Sequence, residues 1–388
     1  MTISEANRLR ILYFLVFCCT ASWLPLFADY LKDHKLSGFG IGLILSVPPA
    51  MMLIVQPFYG MVADRLGYKK VLVWSSLLAS ITYIFYLFDG GFVYLLVVTV
   101  FMALFYNTLQ PILDSLSLRL SERDPSFSYG TLRIAGAAGW AFTGIVVGHY
   151  IDAISTTVIF AFSSGSMLLT FAFSFYLTDD SPEVSTVTPL KNVKEVFDNP
   201  TLIFLLLAVV LVSAGATTIW NFYSIYMKEN GASASLVGYG LSFQGLCELP
   251  MFYFSALIIA RLGIKTTLFV TILTTAVRLW LYSVVNNPKL AIAIELLHGI
   301  SWSLFWVVCV ECVNRLVDHE WRATGQSLLY AAYFGAGAIA GNFWTGYLYD
   351  ERLRISEIFV LNAGLVVVVA VVVGVYFRKK KLDIHTGS

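Results

Sequence analysis

Of 388 residues, 58% are hydrophobic and only 13% charged, and the mean hydropathy is +0.77. A soluble globular chain carries about 25% charged residues, so this apolar excess is too large for a water-soluble core and reads as a polytopic membrane protein. The net charge of +1 gives no bulk basic or acidic field, and together with the hydropathy it excludes disordered, collagen-like and nucleic-acid-binding classes.

The first apolar run, about Ile11 to Leu31, follows Arg8 and Arg10. No small-x-small cleavage site precedes the next run, so it is expected to stay as a span rather than be removed as a signal peptide. A spanning helix needs roughly 20 mostly apolar residues. Twelve stretches qualify: 10–31, 38–63, 69–88, 92–120, 130–152, 156–177, 201–228, 234–262, 265–285, 289–316, 322–349 and 356–377. Most gaps are short and carry turn or charged residues. The long one, Thr178 to Pro200, holds Asp179, Asp180, Pro182, Pro189, Lys191 and Lys194 and parts six spans from six. The expectation is an all-α membrane protein of twelve transmembrane helices: an N-terminal six-helix bundle (1–177), a cytoplasmic linker (178–200) and a C-terminal six-helix bundle with a short basic tail (201–388).

With both termini in the cytoplasm, seventeen of the 25 Lys and Arg fall on the cytoplasmic side and six on the outer side, the bias that orients membrane proteins. The other two, Arg133 and Arg278, lie inside predicted helices. The halves also repeat. At an offset of 196 residues, Gly42, Leu45, Ser46, Arg65, Leu66, Gly67 and Lys69 fall on Gly238, Leu241, Ser242, Arg261, Leu262, Gly263 and Lys265 without a gap. Two related halves around a site near the bilayer midplane is a transporter architecture.

The run Gly60-Met-Val-Ala-Asp64-Arg65-Leu-Gly67-Tyr-Lys69-Lys70 resembles the loop signature of the major facilitator superfamily, and Ala260-Arg261-Leu-Gly263-Ile-Lys265 echoes it without the Asp. The resemblance covers essentially the whole chain and implies the major facilitator fold. Asp64 and Arg65, with Gly60, Gly67 and Lys69, would then act as a gating motif that closes the inner side. Within the superfamily the chain is similar to the branch of lactose permease, nucleoside–proton symporters and phenylpropionate permeases. Pro111-Ile-Leu-Asp114, Tyr129-Gly130-Thr-Leu-Arg133 through Gly139-Trp140, Gly245-Leu-Cys-Glu248, Val277-Arg278-Leu-Trp280 and Leu297-His298-Gly299 carry that similarity. It implies Asp114 as a substrate-binding acid, Arg133 as its partner, Trp140 as a ring-stacking tryptophan and Glu248 as a second substrate-binding acid. Arg278 and His298 match members of the proton-coupling group. The coupling carboxylate of lactose permease, three residues after its histidine, is Ser301 here, and its carboxylates on helix 7 are absent.

Ionisable residues inside a span cost about 2.5–3.5 kcal/mol each and face the protein interior. Hairpin geometry gives their depth. Asp114 and Arg133 each lie nine residues from the turn at Arg123 and Asp124, so they can meet and offset each other's desolvation. Glu248 and Arg278 each lie fifteen residues from Gly263; Arg278 is nine before Asn287, Glu295 eight after it and His298 eleven after it. These four therefore share a layer, and Glu295 and His298 share a helix face at i,i+3. A carboxyl holds its proton more tightly in a low-dielectric layer and less tightly beside an arginine. A movement that changes that distance would couple proton to solute, whereas a static ion-pair network would only fix helix packing. Asn221 and Gln244, polar residues inside spans, are further candidates for solute contact, as Trp220 and Tyr223 are for lining the cavity. Glu311 and Arg315 read as a structural i,i+4 pair, and the glycines of the fifth and eleventh spans as close-packing seams.

The five cysteines lie in apolar runs, and Cys309-x-x-Cys312 has no neighbouring ligand set, so they read as packing residues. No nucleotide-binding loop, metal-ligand spacing or nucleophile elbow appears, so the expectation is no enzyme, no cofactor and no metal. The reading is a proton-coupled importer of a small polar organic solute (sugar, nucleoside or aromatic carboxylate), monomeric, in a bacterial inner membrane. A uniporter or exporter of the same fold and a transporter-derived receptor are the alternatives.

Overall fold

The computed structural model describes residues 4–124, 126–177, 198–318 and 321–379, without the side chains of 56, 57, 60, 61, 64 and 323. The expected linker lies outside the described residues up to 197, as does the basic tail from 380. Among the described residues there is helix and no strand. In chain order the helices are α1 (Glu5–Trp23), α2 (Phe27–Asp33), α3 (Gly38–Leu66), α4 (Tyr68–Phe85), α5 (Gly91–Tyr106), α6 (Leu109–Arg123), α7 (Tyr129–Ala153) and α8 (Val158–Ser174). Then come α9 (Pro200–Glu229), α10 (Ala234–Leu262), α11 (Ile264–Val284), α12 (Pro288–Ile294), α13 (Phe305–Leu316), α14 (Arg322–Tyr330), α15 (Ala338–Asp350) and α16 (Ile355–Lys379). Helix occupies each of the twelve expected stretches, and nine helical runs among the described residues are long and apolar enough to cross a membrane.

Local chemistry sets the ends. Ser37 caps α3 by accepting from the Gly40 N–H at 3.1 Å, Ser128 and Thr131 form a capping box at α7, and Asn199 and Asn287 cap α9 and α12. Gly67 (φ 91°) and Gly263 (φ 76°) turn the chain between α3 and α4 and between α10 and α11 in the left-handed region that favours glycine. The two occupy one position of the 196-residue repeat. Ser46 and Ser242 repeat as well: each hydroxyl donates to a carbonyl four residues back, Gly42 at 2.7 Å and Gly238 at 2.9 Å.

The chain divides into two compact units: Met1–Thr186 with Ala232–Gly245, and Val187–Gly231 with Leu246–Ser388. In the first, α1 packs along α7 and α8, and α4 along α8. Gly136 and Gly139 let α7 approach α1 so closely that a Cβ would strike Phe17 from one and the Phe14 carbonyl from the other. Trp23, Phe27, Tyr30, Tyr83, Tyr86 and Phe160 fill the core, with Tyr30 Oη donating to the Tyr86 carbonyl at 2.6 Å and Tyr86 Oη to Thr99 at 2.7 Å. The N-terminal turns of α10 belong to this unit. Gly144 and Gly148 of α7 abut Gly238, Ser242 and Ala234, and Asp152 accepts from the N–H groups of Ala234 and Ser235 at 2.8 and 2.9 Å.

In the second unit α11 packs on α16, and α9 on α15 and α16. A buried polar link ties three of its helices, since a low-dielectric interior favours paired polar groups: Asn362 Nδ2 donates to Thr218 at 2.7 Å, and Thr218 bonds Thr345 at 2.6 Å. Two of this unit's expected continuous spans are interrupted. Between α12 and α13 a 3-10 turn (Glu295–Leu297) precedes a π turn (Gly299–Leu304), and between α14 and α15 lies a second π turn (Ala331–Gly337). The Tyr333 carbonyl of the second turn accepts from Ser213 Oγ at 2.6 Å, and the Ser301 carbonyl of the first lies 3.3 Å from Thr275 Oγ1.

Candidate functional site

Among the described residues, each unit holds a cluster of ionisable side chains that draws on more than one helix. In the first, Asp114 of α6 and Arg133 of α7 stand 3.9 Å apart. Tyr129 bridges them: its hydroxyl donates to Asp114 Oδ1 at 3.1 Å and accepts from Arg133 Nη1. Tyr13 of α1, brought up by the Gly136–Gly139 contact, donates to the same Oδ1 at 2.7 Å. The arginine and acid side chains remain 39% and 26% exposed. Trp140, two turns further along α7, donates from Nε1 to the Leu241 carbonyl at 3.3 Å, and its ring lies against Gly245.

The second unit joins Glu248 of α10, Arg278 of α11, and Glu295 and His298 of the broken helix into one hydrogen-bonded chain. His298 Nε2 and Glu248 Oε1 are 2.9 Å apart, Arg278 Nη1 and His298 Nδ1 2.8 Å, and Arg278 Nη2 and Glu295 Oε2 2.5 Å. Tyr282 Oη donates to the other oxygen of Glu295, and Ser301 Oγ lies 3.5 Å from Arg278 Nη1. A guanidinium can only donate, so Nδ1 of His298 accepts. The imidazole proton therefore sits on Nε2, facing Glu248. Arg278, Glu295 and His298 are buried at 3%, 1% and 0% exposure, whereas the Glu248 side chain is 27% exposed. The chain thus runs from a half-buried carboxylate to an enclosed one, with an arginine and an imidazole in between.

The other candidates fall elsewhere. Asn221 is buried and donates from Nδ2 to Asn342 Oδ1 at 2.7 Å, joining α9 to α15. Gln244 is buried on α10, one turn before Glu248. In the loop signature, Arg65 is exposed at the end of α3, Gly67 makes the turn and Lys69 is half-buried in the first turn of α4. Gly60 lies on the α3 backbone, and the side chain of Asp64 is outside the described residues. Glu311 and Arg315 pair at 2.7 Å.

Sequence reasoning missed three tyrosines. Tyr129 lies four residues before Arg133 and Tyr282 four after Arg278, the spacing that puts two side chains on one helix face, so both carried a local signal. Tyr13 reaches Asp114 from another helix, and nothing near it in sequence announces that contact. No cluster of three or more His, Cys, Asp or Glu among the described residues has a metal-binding arrangement.

The model of the MFS_1 like family matches residues 6–360. The chain is 26% identical over 380 residues to the uncharacterized transporter YwbF of Bacillus subtilis, covering 96% of this chain and 94% of that one. It is 26% identical over 372 residues to the maltose permease of Geobacillus stearothermophilus, covering 95% and 93%. The crystal structure of the nucleoside transporter NupG superposes with a TM-score of 0.86 at 19% identity, over 97% of this chain and 100% of that one, and so shares the fold. With a family match over nearly its full length and helices apolar enough to cross a bilayer, the chain belongs to the MFS_1 like family and is an integral membrane transporter of the major facilitator superfamily, not an enzyme.

Proposed function

We propose that this transporter is a secondary active symporter that couples proton movement to uptake of a small polar organic solute (sugar, nucleoside or aromatic carboxylate) by alternating access. The observation that carries the coupling is the unbroken chain Glu248–His298–Arg278–Glu295 among apolar helices. Four ionisable groups at one level of a membrane are costly, and a chain of carboxylates joined through an imidazole and a guanidinium can shift a proton when one link lengthens. Arg278 occupies Nδ1 of His298, so a proton enters this chain on a carboxylate unless Arg278 moves. Glu295 takes the part of the acid that Ser301 lacks.

Asp114 and Arg133, both half-exposed and steadied by Tyr129 and Tyr13, bind the solute by accepting from and donating to its polar groups, with Trp140, Asn221, Gln244 and Glu248 as further contacts. Relatives of this chain include a maltose permease, and its fold is that of a nucleoside transporter, which favours hydroxylated rings. Twelve spans in two six-helix bundles, both termini in the cytoplasm, a monomer in the bacterial inner membrane and a gating motif at Gly60, Asp64, Arg65, Gly67 and Lys69 complete the reading. A uniporter is the second reading, favoured by Ser301 standing where lactose permease has its coupling acid.

The experiment compares uptake and counterflow in vesicles with an imposed pH gradient. If Glu295 carries the coupled proton, Glu295→Gln loses accumulation but keeps counterflow, and the counterflow shows that the variant is folded. Accumulation equal to wild type makes Glu295 structural and leaves Glu248 as the carrier. Wild-type uptake indifferent to the pH gradient overturns symport in favour of the uniporter.

A further inference from the structure

The two π turns of the second unit belong to neither polar cluster's hydrogen-bonded chain beyond His298 and Ser301, yet π turns are rare and gather at functional sites. Both are held firmly. Gly299 packs so close to the Cys247 carbonyl that a Cβ would collide with it, and Gly337 presses on Ser213. Hydroxyls of Ser213 and Thr275 engage a carbonyl of each turn. The side chains that the turns and their flanks present are aromatic. The Trp302 ring centroid lies 5.1 Å from Tyr333 and 5.6 Å from Phe334, and Trp306 lies 5.3 Å from Phe334. Trp220 meets Trp302 edge-on at 5.2 Å, stands edge-on to the His298 ring at 5.4 Å and donates from Nε1 to Tyr333 Oη at 3.3 Å. The aromatic group is therefore continuous with the Glu248–His298 pair.

Phe222 and Tyr226, which fill the core of this unit, are fully buried. Trp220, Trp302 and Trp306 are not; each keeps accessible area, and so does Glu248. Indole faces beside a carboxylate suit a ring with an apolar face and polar edges, since binding sites combine aromatic walls with a few placed polar groups. We infer that Trp302 of the first π turn and Trp306 just after it, packed on Tyr333 and Phe334 of the second and joined through Trp220 to Glu248 and His298, form a platform on which a ring of the transported solute stacks while Glu248 accepts from its hydroxyl or N–H groups. The inference rests on the proposed transport function and adds to it the residues that hold the ring of the solute, whether pyranose or planar.

The test uses the full chain in detergent and vesicles, with maltose, uridine and 3-phenylpropionate as ring probes and sorbitol as a ring-free comparator. The wild type should bind at least one ring probe and discriminate against sorbitol; which probe it binds separates pyranose from planar ring. Trp302→Ala and Trp306→Ala should each weaken that binding on the order of tenfold, the usual worth of a stacked ring. Trp302→Phe and Trp306→Phe should restore most of it, and Trp74→Ala, on an exposed face of the first unit, should change nothing. Should an alanine variant fail to stay monodisperse, the double Phe variant made in a Trp140→Phe background decides, because the probe-induced change in tryptophan fluorescence that this background keeps should largely vanish in it. Wild-type binding with both alanine variants unaffected, or with the fluorescence change intact in the double Phe variant, overturns the platform and leaves the transport function standing. Binding of no ring probe by the wild type overturns the solute class itself and the platform with it.

Discussion

Arg278 and Glu295 offer the sharpest energetic test because both are almost wholly enclosed, at 3% and 1% exposure, and are 2.5 Å apart. Replacing Arg278 by Met leaves a buried carboxylate held only by Tyr282. Replacing Glu295 by Gln leaves a buried guanidinium bonded to an imidazole and a neutral amide. Removing one partner of such a pair costs about 3–5 kcal/mol, because the survivor keeps its desolvation penalty without its counter-charge. The double variant carries neither charge. Met fills most of the volume of the arginine stem, and Gln still accepts from Tyr282. Its cost should therefore fall short of the sum of the single costs by about 2–3 kcal/mol, at the upper end of measured couplings between neighbours. Reversible unfolding in mixed micelles, followed by tryptophan fluorescence, measures all four corners of the cycle. Costs that add to within about 0.5 kcal/mol would mean that the two groups do not compensate each other, and the reading of the layer as one electrostatic unit would fail.

Three further outcomes follow from the geometry. Gly238→Ala should lower thermal stability by about 1–3 kcal/mol, because a Cβ there would lie on the Gly144 carbonyl; an unchanged melting temperature would show that α7 and α10 are not in tight contact at that point. Nitrogen-15 spectra of labelled His298 should show the Nε2-protonated tautomer, which Glu295→Gln leaves in place, since Arg278 still donates to Nδ1; an Nδ1-protonated ring would remove that hydrogen bond from the scheme. In the loop after α6, the Ser126 hydroxyl and backbone N–H hold the Asp124 carboxyl below its usual range. A depressed pKa stabilises the folded loop above the unfolded value, and that contribution is lost as pH falls through the folded one. Ser126→Ala should raise the Asp124 midpoint, read by carbon-13 titration, and an unchanged midpoint would exclude the hydroxyl as the cause.

Much of this was legible in the chain because it is set by local chemistry or by simple geometry. Gly67 and Gly263 turn the chain at equivalent places of the repeat because a positive φ needs glycine, and Ser46 and Ser242 repeat because the same helix position offers the same carbonyl. Counting residues from a turn gave the shared depth of Glu248, Arg278, Glu295 and His298, since an α-helix rises about 1.5 Å per residue on either side of a hairpin. The π turns were not legible. Gly299-Ile-Ser-Trp-Ser-Leu304 contains no proline and no breaker beyond Gly299 at its start, and what accompanies the irregular hydrogen bonding of the two turns is a pair of hydroxyls, Thr275 and Ser213, on other helices. Tyr13 was hidden for the same reason: its partner lies 101 residues away. Asn221 read as a candidate solute contact, and its pairing with Asn342, 121 residues on, is equally non-local.

The place of the second acid shows how geometry constrains a substitution. Three residues before and three after His298 lie on either side of it on the helix surface. The Arg278 guanidinium reaches both positions, with Nη2 on Glu295 and Nη1 between His298 and Ser301. A carboxylate on either side could therefore pair with the same arginine, and this chain has it on the earlier side, where Tyr282, one turn along from Arg278, closes its second oxygen. That arrangement leaves Glu295 enclosed by an arginine and a tyrosine and separates it from Glu248 by the imidazole. In the proposed mechanism the two carboxylates then have different work. Glu248, half-exposed, meets the solute, and Glu295, linked to it through His298 and Arg278, senses that encounter through the position of the arginine. A solute that draws Glu248 away from Nε2 loosens His298, and with it the link that holds Arg278 between ring and acid, which is how a binding event at one end of the chain can change proton affinity at the other.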